Sequence, residues 1–218
     1  MTINTFLKKT NDIRQIEKAI SSDRLSTYLF AIGKNDIEKA LELYMWNTIV
    51  SSEFYIPLQG LEVTLRNNIH IAMYAKTQHE NWYDYINFFD EHSKLKLANA
   101  KAKVLKKYNS YDVPHIIAEL SFGFWVGLID KHYHQTLWEP TIGKIFSSAR
   151  MPRSEIRLQL GYLKEFRNRI AHHEPIFSRD LYADYSSVIS AIGWLNIEKS
   201  IWIEENNDVL DVLSRKPI

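Results

Sequence analysis

The sequence predicts an all-α protein, a helical bundle with additional N-terminal helices. Three observations predict the all-α class. Only 7 Gly and 6 Pro punctuate 218 residues, which leaves few positions for the tight turns of a many-stranded fold. Apolar residues recur at helical spacing in segment after segment, and no segment alternates apolar and polar residues long enough to mark a strand. A hydrophobic content of 45%, with 24% charged and 13% aromatic, belongs to a globular chain with a core.

The elements follow in order. Asn11 to Ser22 and Asp23 to Ile32 read as two short helices, and residues up to about 35 read as an N-terminal helical arm. Asn35 is placed to cap the next helix, with Glu38 three residues later. Ile37, Leu41, Tyr44, Met45, Thr48 and Ile49 carry the apolar period of that helix. Pro57 is expected to end or kink it, after which Leu58, Leu61, Leu65, Ile69 and Met73 form a second stripe. Asn81 to Glu91 is aromatic and irregular, a loop with a short helix, and Lys94 to Tyr108 is helical. Pro114 restarts the chain into Ile116, Ile117 and the run from Leu120 to Ile129. Its two glycines argue against one regular helix. Pro152 and Ser154 open a strong helix through Ile156, Leu160, Leu163, Phe166 and Ile170, bounded by Pro175. Two last helices cover about Ser178 to Trp194 and Ile197 to Leu213. Residues 1–218 read as a single domain, of which about 195–218 is the C-terminal helical part.

Composition removes several function classes. With no cysteine there is no disulfide, Cys-ligated zinc, iron–sulfur cluster or thiol nucleophile. The start has no apolar core behind its charges, so no signal peptide is expected. The longest apolar-rich run without charge, Leu120 to Ile129, is far short of the roughly 20 residues of a membrane helix. A cytoplasmic protein without membrane partner is expected. Net charge is +1, so any nucleic-acid site must be local. Charge is uneven: Ser93 to Asn109 carries Lys94, Lys96, Lys101, Lys103, Lys106 and Lys107 and no acid, whereas the tail is acidic.

The chemistry concentrates at Arg167-Asn168-Arg169-Ile170-Ala171-His172. At about 100° per residue, Leu163, Phe166 and Ile170 form the inward stripe of the helix. His172 falls almost opposite, with Asn168 one turn before it and Arg167 between that pair and the core. His173 falls nearer the core stripe and reads as a supporting residue, and Glu174 as a carboxylate for His173 or the helix end. A cation, an amide and an imidazole are the parts needed to cleave a phosphodiester by transesterification. Histidine takes a proton from a 2′-hydroxyl or gives one to a leaving 5′-oxygen. Arginine holds the phosphate and offsets the charge that builds on it. No metal or other cofactor is called for, and only RNA carries the required hydroxyl.

Arg167 to His172 resembles the Arg-polar-x-x-x-His motif of the HEPN superfamily. The longer string Phe166-Arg-Asn-Arg-Ile-Ala-His-His-Glu-Pro-Ile-Phe177 is similar to the Abi-like (abortive infection) proteins of bacteria, of the AbiD/AbiF type. So are Ser22-Asp-Arg-Leu-Ser-Thr-Tyr-Leu29, Leu43-Tyr-Met-Trp-Asn47, Leu61-Glu-Val-Thr-Leu-Arg-Asn67 and Glu119-Leu-Ser-Phe-Gly-Phe-Trp125. The resemblance covers most of residues 20 to 180. It implies an all-α bundle that dimerises so that two motifs share a cleft. It also implies metal-independent RNA cleavage by Arg167 and His172 with Asn168 as the polar second position, in many members as a toxin or antiphage effector. The partners it implies are RNA, a second copy of the chain, and an antitoxin or non-coding RNA as regulator.

Other residues have competing readings. Lys96, Lys103 and Lys107 share a stripe, and with Arg150 and Arg153 they are the RNA-backbone candidates, against a solvated face as the bland alternative. Phe122, Phe124 and Trp125 read as base-stacking groups, core or dimer interface. Arg66-Asn67-Asn68-Ile69-His70 resembles the motif with its histidine one residue early, and Glu62, one turn before Arg66, is expected to pair with it. His132 and His134 diverge on a helix and are not expected to bind metal. Two functions remain open: a homodimeric endoribonuclease, and a non-catalytic RNA- or protein-binding module of the same architecture.

Overall fold

The computed structural model describes residues 13–33 and 36–217; the helix start at Asn11 and the cap at Asn35 lie outside them. Among the described residues the regular structure is helical, with no strand. The helices are α1 (Ile13–Ile20), α2 (Ser22–Ile32), α3 (Ile37–Glu53), α4 (Tyr55–Thr77), α5 (Glu91–Tyr108), α6 (Val113–Glu119), α7 (Phe122–Gly127), α8 (Arg153–Ala171), α9 (Leu181–Leu195), α10 (Ile197–Glu205) and α11 (Val209–Ser214). Short 3₁₀ turns at Trp82–Asp84 and Ile86–Phe88 replace the aromatic loop, and 3₁₀ and π turns fill Lys131–Ala149. Among the described residues no helix is long and apolar enough to cross a membrane.

Local chemistry sets the boundaries. Asp36 caps α3, its carboxylate accepting from the Lys39 N–H at 3.1 Å. Pro57 does not end that helix: α3 stops at Glu53, and Pro57 sits in the first turn of α4. A first-turn N–H has no intrahelical acceptor, so proline loses nothing there. Asp90 caps α5 through the Ser93 N–H at 2.8 Å and also accepts from the Tyr133 hydroxyl at 3.0 Å. The expected helix from Ile197 to Leu213 breaks at residues 206–208, where the Asn207 carbonyl oxygen accepts from the Val209 N–H at 3.1 Å and its amide donates to the Tyr185 hydroxyl.

The chain divides into two compact units. Of the described residues, the first comprises 13–33, 36–56, 169–185 and 207–217. Its core holds Leu25, Tyr28, Trp46, Val50 and Phe54 with Ile176, Phe177 and Leu213. Tyr28 meets Tyr44 edge-on and Phe177 at a tilt, with centroids 5.2 and 5.0 Å away, and burial pushes its hydroxyl up to about 12. The Trp46 indole donates to the Val212 carbonyl at 2.9 Å. The second unit comprises residues 57–168 and 186–206. Leu61, Leu65, Ile69 and Met73 of α4, Trp82, Trp125 of α7, and Leu160, Leu163 and Phe166 of α8 are fully buried there. Trp82 and Trp125 meet edge to face, with ring planes 60° apart and centroids 6.1 Å apart. At Gly60 a Cβ would collide with the end of the Ile203 side chain, so a larger residue there would have to push that side chain aside.

Candidate active site

The helix that carries the motif is fixed along its length by its apolar stripe. Ile156, Leu160, Leu163 and Phe166 are each at most 1% exposed, four side chains on one face of α8. Ile170 is only half-buried, and Ala171, His172, His173 and Glu174 are exposed. The helix stops in a Schellman arrangement. The His173 N–H donates to the Ile170 carbonyl at 3.0 Å and the Glu174 N–H to the Arg169 carbonyl at 2.8 Å. The residue that turns the chain is His173, in the left-handed region at φ 57°. Glycine or asparagine usually takes that place, and a histidine there costs about 1 kcal/mol or more. A helical wheel run past Ala171 therefore misplaces His173: the residue leaves the helix face and stands in solvent.

In the second unit, Arg167 ends half-exposed with its Nε 3.5 Å from the Glu62 carboxylate on α4. Glu62 was expected to pair with Arg66 along its own helix. It turns to Arg167 instead, because the α8 guanidinium arrives from the side that Glu62 faces, and Arg66 is left with a 3.4 Å contact from its Nε to the Asn67 amide oxygen. Asn168 is half-buried beside Arg167 in sequence. His70 is not a second acid–base group. Its Nδ1 accepts from the buried Trp82 indole at 2.8 Å, and burial, partly offset by Glu80, holds its pKa below the ordinary value. It is thus a neutral imidazole with its proton on Nε2.

In the first unit, the chain leaving the motif is fastened at each step. The Arg24 guanidinium donates to the His173 carbonyl. Arg169 donates to the Pro175 carbonyl at 3.0 Å and lies 3.5 Å from the Glu174 carboxylate, so Glu174 serves the helix end. The buried Asn47 carbonyl oxygen accepts from the N–H groups of Ile176 and Phe177 at 2.8 and 3.1 Å. The Lys216 ammonium donates to the Phe177 carbonyl at 2.7 Å. Arg179 grips the fully buried Asp184 carboxylate with two bonds of 2.8 and 2.9 Å. The outcome is an exposed imidazole at His172 on a stretch of backbone held by side chains of α2, α3 and the C-terminus.

The basic candidates are placed differently. Lys103 pairs with Glu119 at 3.0 Å, and the Lys107 ammonium lies 5.0 Å from the ring centroid of Tyr108. Lys96 is half-buried on α5. Arg150 is exposed in a left-handed turn before α8, and Arg153 donates to the Ile129 carbonyl at 2.7 Å. Phe122, Phe124 and Trp125 are core, at most 3% exposed. His132 faces Asp90 and His134 faces Glu139, each at 3.2 Å. Arg24 and Asn47 are residues that sequence reasoning left without a role, and Glu62 is one that it gave to Arg66. The signal was present, since each lies in a string that resembles the Abi-like family.

The described residues are all-α, with Arg167 and Asn168 in the last turns of α8 and His172 next after its end. Residues 15–178 match the model of the Abi-like protein family, and the chain belongs to that family. No curated protein and no solved structure matches the chain.

Proposed function

We propose that the protein is a metal-independent endoribonuclease of the HEPN superfamily, close to the AbiD/AbiF type, acting in the cytoplasm as an abortive-infection or toxin effector. The observation that carries this reading is the end of α8. A stripe of buried residues orients the helix, while Arg167 and His172 stay outside the core. Membership of the Abi-like family supports the abortive-infection role.

In the proposed reaction a neutral His172 imidazole takes the 2′-hydroxyl proton. The 2′-oxygen attacks the adjacent phosphorus and the 5′-oxygen leaves, accepting a proton from an imidazolium. The products are a 2′,3′-cyclic phosphate and a free 5′-hydroxyl. Arg167 binds the non-bridging oxygens as their charge grows. It would do so through its Nη groups while its Nε stays beside the Glu62 carboxylate. Asn168 hydrogen-bonds the phosphate or fixes the imidazole. One chain supplies one histidine, whereas the reaction needs a base and an acid. A two-fold dimer that faces two motifs supplies both.

The test is purified protein on total RNA, with fragment ends mapped. Cleavage leaving 2′,3′-cyclic phosphate, insensitive to chelator and lost in His172→Ala and Arg167→Ala, is expected. Unchanged cleavage by His172→Ala refutes the assignment of that residue. A second reading, a non-catalytic RNA- or protein-binding module, is favoured by the net charge of +1 and by lysines engaged within the chain. It predicts RNA left intact by the wild type under every condition that gives a folded dimer.

A further inference from the structure

Two ring pairs lie with their centroids 3.9 Å apart, and they differ in what they can still touch. His132 and Tyr133 are tilted by 48°, and Tyr133 is buried, with its hydroxyl bound to Asp90 and Ser93. Tyr108 and His115 are near-parallel at 25°, and solvent reaches 41% of Tyr108 and 43% of the His115 side chain. The chain builds this second pair at a helix end. Asn109 closes α5 in the left-handed region at φ 54°, its N–H donating to the Leu105 carbonyl at 2.9 Å. Asp112 and Pro114 then open α6, whose first turn lays His115 against the last ring of α5. The charge around the stack is one-sided. Asp112 faces His115 at 2.5 Å and Glu119 faces Lys103 at 3.0 Å, so both nearby acids are engaged. Lys106 and Lys107, which directly precede Tyr108, are exposed, and the Lys107 ammonium lies 5.0 Å from the Tyr108 centroid.

We propose that the Tyr108–His115 stack is a platform for one unpaired base of an RNA strand, with Lys106 and Lys107 on the phosphates that flank that base. This rests on the reading of the α8 motif as an RNA site. A surface lysine alone draws any polyanion. What sets this place apart is a parallel pair of rings open to water directly beside two exposed cations. A ring pair that served only to join α5 to α6 would be covered, as Tyr133 is, because ring surface left in water forgoes the gain from burial. Every base has a π-face, so any base adds to the pair as a third layer. In a duplex those faces are covered by neighbouring base pairs, so the platform selects single strands. Neither stacking nor phosphate contact reads base identity, so the site supplies strand binding rather than sequence preference.

The experiment measures anisotropy of a fluorescein-labelled mixed-sequence 20-mer RNA, as a single strand and as a duplex, in the His172→Ala background across a salt series. Tyr108→Leu is expected to weaken single-strand binding about tenfold at 0.1 M salt with the log–log salt slope unchanged, and to leave any duplex binding as it was. Tyr108→Phe keeps the ring and should keep the affinity. Lys106→Gln with Lys107→Gln should instead flatten the single-strand slope by about 1.4, two phosphate contacts. The slope retained by Tyr108→Leu separates loss of the ring from misfolding, which would remove the phosphate contacts as well. Unchanged single-strand affinity in Tyr108→Leu overturns the proposal, as do equal losses on single strand and duplex, a loss accompanied by a flattened slope, or absence of RNA binding by the parent. Cleavage by wild type with single-strand binding unmoved by Tyr108→Leu removes only the platform. Ring-dependent binding with no cleavage by wild type removes only the nuclease reading.

Discussion

The segment that follows the motif depends on one amide. Asn47 is 5% exposed, and its carbonyl oxygen is the acceptor for the backbone N–H groups of Ile176 at 2.8 Å and Phe177 at 3.1 Å. Both donors are buried, Ile176 completely, so water cannot replace the lost partner. Asn47→Ala therefore strands two buried donors at once. Each such group costs about 1–3 kcal/mol, and the change should destabilise the fold by about 2–6 kcal/mol. With a urea dependence of about 2 kcal/mol per M, the unfolding midpoint should fall by about 1–3 M at unchanged slope. Asn47→Asp keeps an acceptor for both N–H groups, at the cost of placing charge in a buried site. It should lose less than the alanine variant. Urea titration followed by far-UV circular dichroism gives both values. A loss below about 0.5 kcal/mol for Asn47→Ala, well under the cost of even one stranded donor, would refute the reasoning.

Three more outcomes are expected. Glu62→Gln removes the carboxylate that orients Arg167; in the nuclease reading kcat should fall about tenfold, about 1.4 kcal/mol, while RNA affinity in the His172→Ala background is no weaker. Equal loss in both quantities counts against an orienting role. His172→Ala, at an exposed position, should shift stability by less than about 0.5 kcal/mol, whereas His173→Gly relieves the left-handed backbone at φ 57° and should raise it by about 0.5–1 kcal/mol; thermal unfolding that ranks the two the other way refutes the assignment of the turn. His70 has its folded-state pKa below 6.5, so the unfolded chain binds that proton more readily and stability rises with pH there. The contribution should be complete above about pH 6.5 and decline as pH falls below it, so the urea midpoint should drop between pH 7.5 and 5.5 by more in wild type than in His70→Gln.

The helices were legible because each buries a stripe whose spacing is written locally. Ile156, Leu160, Leu163 and Phe166 announce α8 from sequence, and the structure buries all four. Helix ends were less so. Pro57 was expected to end or kink α3, and the break falls before it, at Glu53, with the proline in the first turn of α4. His173 carries no signal of a left-handed turn, since histidine takes that conformation only where surrounding bonds hold it. Those bonds run from Arg24, 149 residues away in the chain, and to Ile170. Glu62 was misassigned for the same reason: the local rule offers Arg66 at four residues, and the actual partner is a hundred residues downstream.

The pieces of sequence that resemble the family and the side chains that brace the motif coincide, and this has a physical reading. Arg24 lies in the first string, Asn47 in the second and Glu62 in the third, and each makes a bond to the stretch from Arg167 to Phe177. A core stripe tolerates exchange of one aliphatic residue for another, so it leaves a weak pattern in sequence. A guanidinium on a carbonyl, an amide on two N–H groups and a carboxylate on a guanidinium do not tolerate exchange, because each is set by donor count and geometry. Such residues stay recognisable far from the motif while appearing idle in a local reading. If the bracing matters because Arg167 and His172 must be held in place, then Arg24→Ala should reduce RNA cleavage more than it reduces stability. Its bond to the His173 carbonyl is at the exposed helix end, where loss costs only about 1 kcal/mol. Cleavage that tracks the small stability change, and no more, would mean that the bracing serves the fold alone.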